Sequence, residues 1–184
     1  MPKAVIQKNW YEIQAPDVLD IDTVTETPAE KDSQVVGRRI REGLEDLVDS
    51  TDKYYVDVSM KVTDVEGNKA FSEIDGMECS KEFVSRMIRS ESDRFDLVHN
   101  TETADDRKVR IKLVGATVRN TSSNTLSDVR NRLEELIEEE ASAATYSDLM
   151  EMIFEDRLQQ ELRDAAEEIY PFKQLEVRKT ELLD

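Results

Sequence analysis

The chain has 184 residues, of which 38% are hydrophobic and 36% charged, and its net charge is −17. An apolar fraction that falls in patterned segments excludes a disordered acidic tail and is enough to bury a core in one domain. A single cysteine, Cys79, excludes an internal disulfide and points to a reducing compartment, and no run of about 18 apolar residues offers a membrane span.

In chain order, the first half reads as β structure. The opening MPKAVIQKNWYEI lacks the apolar stretch of a secretory signal, so a cytoplasmic protein is expected. Lys8 to Ile13 is a short strand candidate ended by Ala15-Pro16, followed by an acidic, Thr-rich loop from Asp17 to about Asp32. Val35 to Arg41 is a second strand candidate. YYVDVSMKVTDV then alternates strictly, with Tyr54, Val56, Val58, Met60 and Val62 on one face. Glu66-Gly67-Asn68 supplies a tight turn, and Lys69 to Ile74 returns as the hairpin partner. Ser80 is positioned to cap a helix reaching about Ser90, with Phe83, Val84, Met87 and Ile88 as its apolar stripe. Leu97 to Thr103 and Lys108 to Arg119 form an antiparallel pair around Ala104-Asp105-Asp106.

The second half turns helical. Thr125 with Asp128 resembles a capping box that opens a helix bearing Leu126, Val129, Leu133, Leu136 and Ile137. Thr145 with Asp148 repeats the signal for a helix through Phe154. A third helix places Leu158, Leu162, Ala165, Ala166 and Ile169 inward and stops at Tyr170-Pro171. Phe172 to Thr180 returns as a strand. The expected fold class is α+β: a curled antiparallel sheet or β-barrel core, one inserted helix, about three C-terminal helices and a closing strand. A single domain over 1–184 is expected, with a β core at about 8–119, a helical part at 122–170 and the last strand at 172–180.

The charge is unevenly placed. Residues 107–132 hold Arg107, Lys108, Arg110, Lys112, Arg119, Arg130 and Arg132 against one acid, Asp128, which gives +6 there and −23 elsewhere. Arg110 and Lys112 share a strand face about 6.7 Å apart, while Val109, Ile111 and Leu113 point to the core. Asn120 to Asn124 offers amides and hydroxyls suited to phosphate and ribose. In the following helix Arg130 and Arg132 precede a run of glutamates, an order opposite to the one the helix dipole favours. Lys3 and Lys8 precede Trp10 and Tyr11, a basic aromatic pairing that suits RNA, although a lone Trp is more often a core anchor. Arginine outnumbers lysine 14 to 11, and a lysine-poor acidic surface fits a very salty cytoplasm, where a Debye length of about 3 Å screens self-repulsion.

Enzyme signatures are thin. His99, the only histidine, sits in an alternating strand and reads as structural; Cys79 reads as packed. No glycine-rich phosphate loop occurs. Asp17, Asp20 and Asp22 lack EF-hand spacing and read as a solvated face. No catalytic residue, metal site, cofactor or small-molecule substrate is indicated.

Four blocks in order resemble one family. KNWYEIQAP (Lys8 to Pro16), SKEFVSRMIRSESDRFD (Ser80 to Asp96), Lys108 through Glu139, and IYPFKQLEVRK (Ile169 to Lys179) are similar to the archaeal and eukaryotic small-subunit ribosomal protein family S-three-A-e, also called S-one-e. The chain looks like a divergent, acidic, archaeal-type member. Ser85, Ser90, Glu91, Val118, Asn120 and Gln174 stand where the family usually has basic residues. The resemblance implies a non-enzymatic, rRNA-binding constituent of the platform near the mRNA exit. Its partners would be small-subunit rRNA and neighbouring ribosomal proteins. The cations that would face rRNA are Lys3, Lys8, Lys81, Arg89, Arg94, Arg107, Lys108, Arg110, Lys112, Arg119, Arg130, Arg132, Lys173, Arg178 and Lys179. The alternative is an acidic protein-interaction module of the same fold acting off the ribosome.

Overall fold

The computed structural model describes residues 8–48, 52–88 and 91–183. These form two compact units, residues 1–75 and 76–184.

In the first unit, β1 (Asn9–Gln14) runs antiparallel to β2 (Thr23–Ala29), with Tyr11 opposite Thr27. β3 (Arg39–Gly43) is antiparallel to β4 (Val56–Glu66), and a one-turn helix, α1 (Leu44–Leu47), links them. β4 turns at Gly67, whose φ of +64° suits the two-residue hairpin, into β5 (Lys69–Cys79). The start of β5 lies parallel to β1, so the sheet is mixed where an antiparallel one was expected. Tyr11, Ile13, Ala29, Val35, Val62 and Ala70 make the core. The strict alternation of β4 is realised by Val56, Val58, Met60 and Val62, all buried. Tyr54 falls before the strand and is exposed.

The first unit departs from expectation at three places. The expected loop at 17–32 contains β2, an edge strand; Pro28 removes a ladder donor there, which only an edge tolerates. The strand expected at 35–41 is displaced to Arg39–Gly43, because a 3-10 turn at Asp32–Gln34 and the positive φ of Gly37 occupy the preceding residues. Trp10 is not a core anchor: it is 61% exposed, whereas Tyr11 is buried and its hydroxyl donates to Asp32 Oδ1 at 2.7 Å.

The second unit is built on the end of β5, then α2 (Lys81–Met87), β6 (Arg94–Glu102), β7 (Lys108–Thr117), α3 (Ser123–Ala143), α4 (Tyr146–Phe154), α5 (Arg157–Glu167) and β8 (Phe172–Leu182). Its strands are ordered β5-β8-β7-β6, all antiparallel. Neither unit's sheet closes on itself among the described residues, which settles the expected alternatives in favour of an open sheet. Ser80 caps α2 by accepting from the Phe83 amide, and Thr145 caps α4 by accepting from the Asp148 amide. The cap of α3 is Ser122 rather than Thr125: Ser122 Oγ accepts from the Thr125 amide at 3.2 Å. Val129, Leu133, Ile137 and Ala141 form its buried stripe. Ile169 lies beyond α5 and is 39% exposed, so the inward stripe ends at Ala166.

Gly76 fixes how closely β5 and β8 approach. A Cβ there would stand 2.2 Å from the Thr180 carbonyl oxygen, so only glycine fits this register.

Candidate nucleic-acid interface

Cross-strand register decides where the cations of β7 go. Val109, Ile111 and Leu113 are fully buried, and their neighbours by register include Thr101, His99 and Leu97 on β6 and Thr180 on β8. α3 and α4 cover that side. Glu138 accepts from Thr101 at 2.8 Å and sits 3.1 Å from His99 Nε2, and Thr180 Oγ1 lies 3.6 Å from Met150 Sδ. Period-two alternation therefore sends Lys108, Arg110 and Lys112 to the opposite face. Val114 and Ala116, further along that face, are buried, so only the first half of β7 is basic outside.

On this outer face the cations are not free. Lys112 Nζ lies 2.9 Å and Arg110 Nη1 3.9 Å from Glu181 Oε2, and Lys179 Nζ lies 3.0 Å from Oε1 of the same carboxylate. Lys179 is also 3.8 Å from Glu78. Arg110 Nε donates to Asn100 Oδ1 at 2.9 Å. The Lys112 ammonium, then that of Lys179, holds the Glu181 carboxyl below its ordinary value. Glu181 was missed in the sequence; only the pairing of β8 with β7 brings it opposite Arg110.

A second group forms where β6 starts, β7 ends and α3 begins. The loop between β7 and α3 is pinned from two sides. Tyr170 Oη donates to the carbonyls of Arg119 at 3.2 Å and Asn120 at 3.4 Å, and the Thr121 amide donates to Asp93 Oδ2 at 2.7 Å. Arg119, Asn120, Ser123 and Asn124 are left exposed. No acidic residue stands in the first turn of α3, so its unpaired amides keep their positive potential. The side chains of Arg119 and Arg132 pair with no carboxylate among the described residues. Lys173 Nζ donates to Ser92 Oγ at 3.2 Å.

The remaining expected cations are divided. Arg94 forms a forked pair with Asp96. Arg130 stacks over the Phe95 ring at 5.4 Å and donates to the Asp96 carbonyl at 3.3 Å, an arrangement that caps the edge strand β6. Arg107 lies over the Tyr146 ring at 5.6 Å, at the other end of β7. Arg178 is half-buried in the bulge of β8, with its Nε enclosed. Lys81 is exposed at the start of α2, Lys108 is exposed on β7, and Lys8 is exposed in the first unit. Lys3 and Arg89 lie outside the described residues. Cys79 is buried with its Sγ 3.3 Å from the Val177 carbonyl, and no group of three metal-ligating side chains occurs among the described residues. No helix among them is long and apolar enough to cross a membrane.

The whole chain aligns with one family. The profile of the Ribosomal S3Ae family matches residues 3–184. Small ribosomal subunit protein eS1 of Methanopyrus kandleri is 32% identical over 96% of this chain and 86% of its own length. The protein of the same name from Haloarcula marismortui is 28% identical over 98% of this chain and 84% of its own. That of Methanobrevibacter smithii is 27% identical, over 97% and 92%. Continuous similarity from residue 3 to residue 184 places both units within one familial pattern: this chain belongs to the Ribosomal S3Ae family.

Proposed function

We propose that the chain is a structural, non-enzymatic constituent of the small ribosomal subunit that binds rRNA through its second unit. Family membership supports the ribosomal assignment. One observation carries the RNA contact: the loop from Val118 to Ser122 is held by hydrogen bonds from Tyr170 and to Asp93, and its Arg119, with no carboxylate partner among the described residues, precedes the acid-free first turn of α3. Backbone amides, hydroxyls and a guanidinium gathered at a helix start are donors that suit phosphate oxygens. Arg132, Lys173 and Lys81 extend this contact, and Arg110, Lys112 and Lys179 supply a second one on the sheet face. Docking is on the platform near the mRNA exit, against rRNA and neighbouring ribosomal proteins, with solvent facing the acidic remainder.

Sedimentation through a sucrose gradient in high potassium tests this. The wild-type chain travels with small subunits, and Arg119→Glu with Arg132→Glu leaves it at the top with its circular dichroism unchanged. Co-sedimentation of the double variant at wild-type level would remove the α3 start from the contact.

A further inference from the structure

Three cations on the outer sheet face converge on one carboxylate. The ladder places Arg110 opposite Glu181 and Lys112 opposite Lys179. Like charges directly opposite each other destabilise a strand pair, and here Glu181 stands between them, 2.9 Å from one lysine and 3.0 Å from the other. Glu78, opposite Lys179 on β5, is the second acid in reach.

We propose that Glu181 is an internal counter-ion seated where an RNA phosphate would bind, so that this face accepts a phosphodiester by exchanging the Glu181 carboxylate for it. The inference rests on the rRNA-binding reading. A carboxylate and a phosphodiester carry the same single charge and accept the same ammonium and guanidinium donors, so the cations need no rearrangement when one replaces the other. Asn100 keeps the Arg110 guanidinium in place through Nε when its acid partner leaves. The side chains of Lys112, Lys179, Glu181 and Arg110 are 21%, 29%, 30% and 37% exposed, so the cluster is open to a ligand yet partly withdrawn from water. An intramolecular carboxylate competes at high effective concentration. The face therefore rejects isolated anions and engages a phosphate only when the chain that carries it is already held at the start of α3. Glu181 thus sets selectivity for a polymer over a single ion.

The test uses the purified full chain and a fluorescein-labelled 20-nucleotide RNA, followed by anisotropy across a potassium chloride series. Glu181→Gln is expected to bind about three- to fivefold tighter than wild type, from removing one charge next to the phosphate. Its log affinity should fall more steeply with log salt, by about 0.7, because no carboxylate is freed in exchange for the phosphate. Glu135→Gln, an exposed change on α3 with the same effect on net charge, should leave binding at the wild-type level. The gain from Glu181→Gln should vanish in a Lys112→Gln, Lys179→Gln background. Glu181→Asp, which keeps the charge but withdraws it, gives an intermediate gain and covers the case in which the glutamine variant folds poorly. If wild type binds RNA and neither Glu181 variant binds tighter than Glu135→Gln, Glu181 is a structural tie only and the proposal is overturned. If wild type itself binds no RNA, the underlying reading fails and the exchange fails with it.

Discussion

The two basic regions of the second unit use the same residue types and reach opposite states. On the sheet face, Arg110, Lys112 and Lys179 share the Glu181 carboxylate. Arg119, before α3, and Arg132, in the third turn of that helix, stand without any carboxylate partner among the described residues. The loop of Arg119 is framed by a tyrosine hydroxyl and backbone groups, with Asp93 spent on an amide. A strand residue is pressed against whatever its neighbours place at the same register, so its charge is answered locally. A loop residue meets no such obligation. Availability of a cation thus follows from ladder register more than from the charge of its own segment.

The largest expected effect removes both regions at once. Gly76→Ala forces a Cβ against the Thr180 carbonyl and should cost about 3 kcal/mol, read as a lowered urea midpoint, since overpacking of a rigid backbone contact cannot relax. A midpoint within about 0.5 kcal/mol of wild type would show that β5 and β8 can part without harm. Next, neutral substitutions separate the regions. Arg119→Gln with Arg132→Gln should lower RNA affinity about tenfold and reduce the salt slope by about 1.4. Arg110→Gln with Lys112→Gln should change affinity only about twofold, because Glu181 already offsets those charges. Equal losses from the two pairs would erase the distinction.

Smaller effects sharpen it. Arg130→Ala should cost about 1 kcal/mol of stability, from a lost stacking contact and an uncapped edge carbonyl, with RNA affinity unchanged. A loss of binding without a loss of stability would return Arg130 to the RNA-facing set. The smallest effect is in acid. Glu181 is lowered by Lys112 and Lys179, and Glu138 by Thr101 and His99, from an ordinary value of 4.5. Carboxyls lowered in the folded state contribute stability that is complete above that value and is lost as pH falls through the lowered ones. Urea midpoints should therefore hold steady above the ordinary range and decline below it. Glu138→Gln and Glu181→Gln should each flatten that decline.

Much of the fold is legible in the sequence, because elements in both units carry strong local signals. Alternation in β4 and β7, and the hydroxyl caps at Ser80 and Thr145, predict what is observed. The failures are equally physical. β2 is edge-paired and polar, so its residues lack the buried alternation that marks a strand. The α3 cap was displaced because two hydroxyls, Ser122 and Thr125, compete for the same role and bond to each other. Trp10 and Tyr11 are adjacent in the strand, and composition alone does not tell which faces in. At the candidate site, the gathering of cations was visible, but their fate was not. Glu181 is 71 residues from Arg110 in sequence, and nothing local marks it as their shared partner.

One consequence of the β5-β8-β7-β6 order concerns the making of the protein. Met77 and Thr180 are 103 residues apart, yet they are neighbours in the ladder. During synthesis β5 and β7 emerge long before the strand that separates them, and each presents a bare hydrogen-bonding edge in the interval. Direct pairing of those two, or capture by another nascent chain, is the hazard of this topology. It makes a premature stop codon upstream of Phe172 a source of sticky fragments rather than of a shorter functional protein.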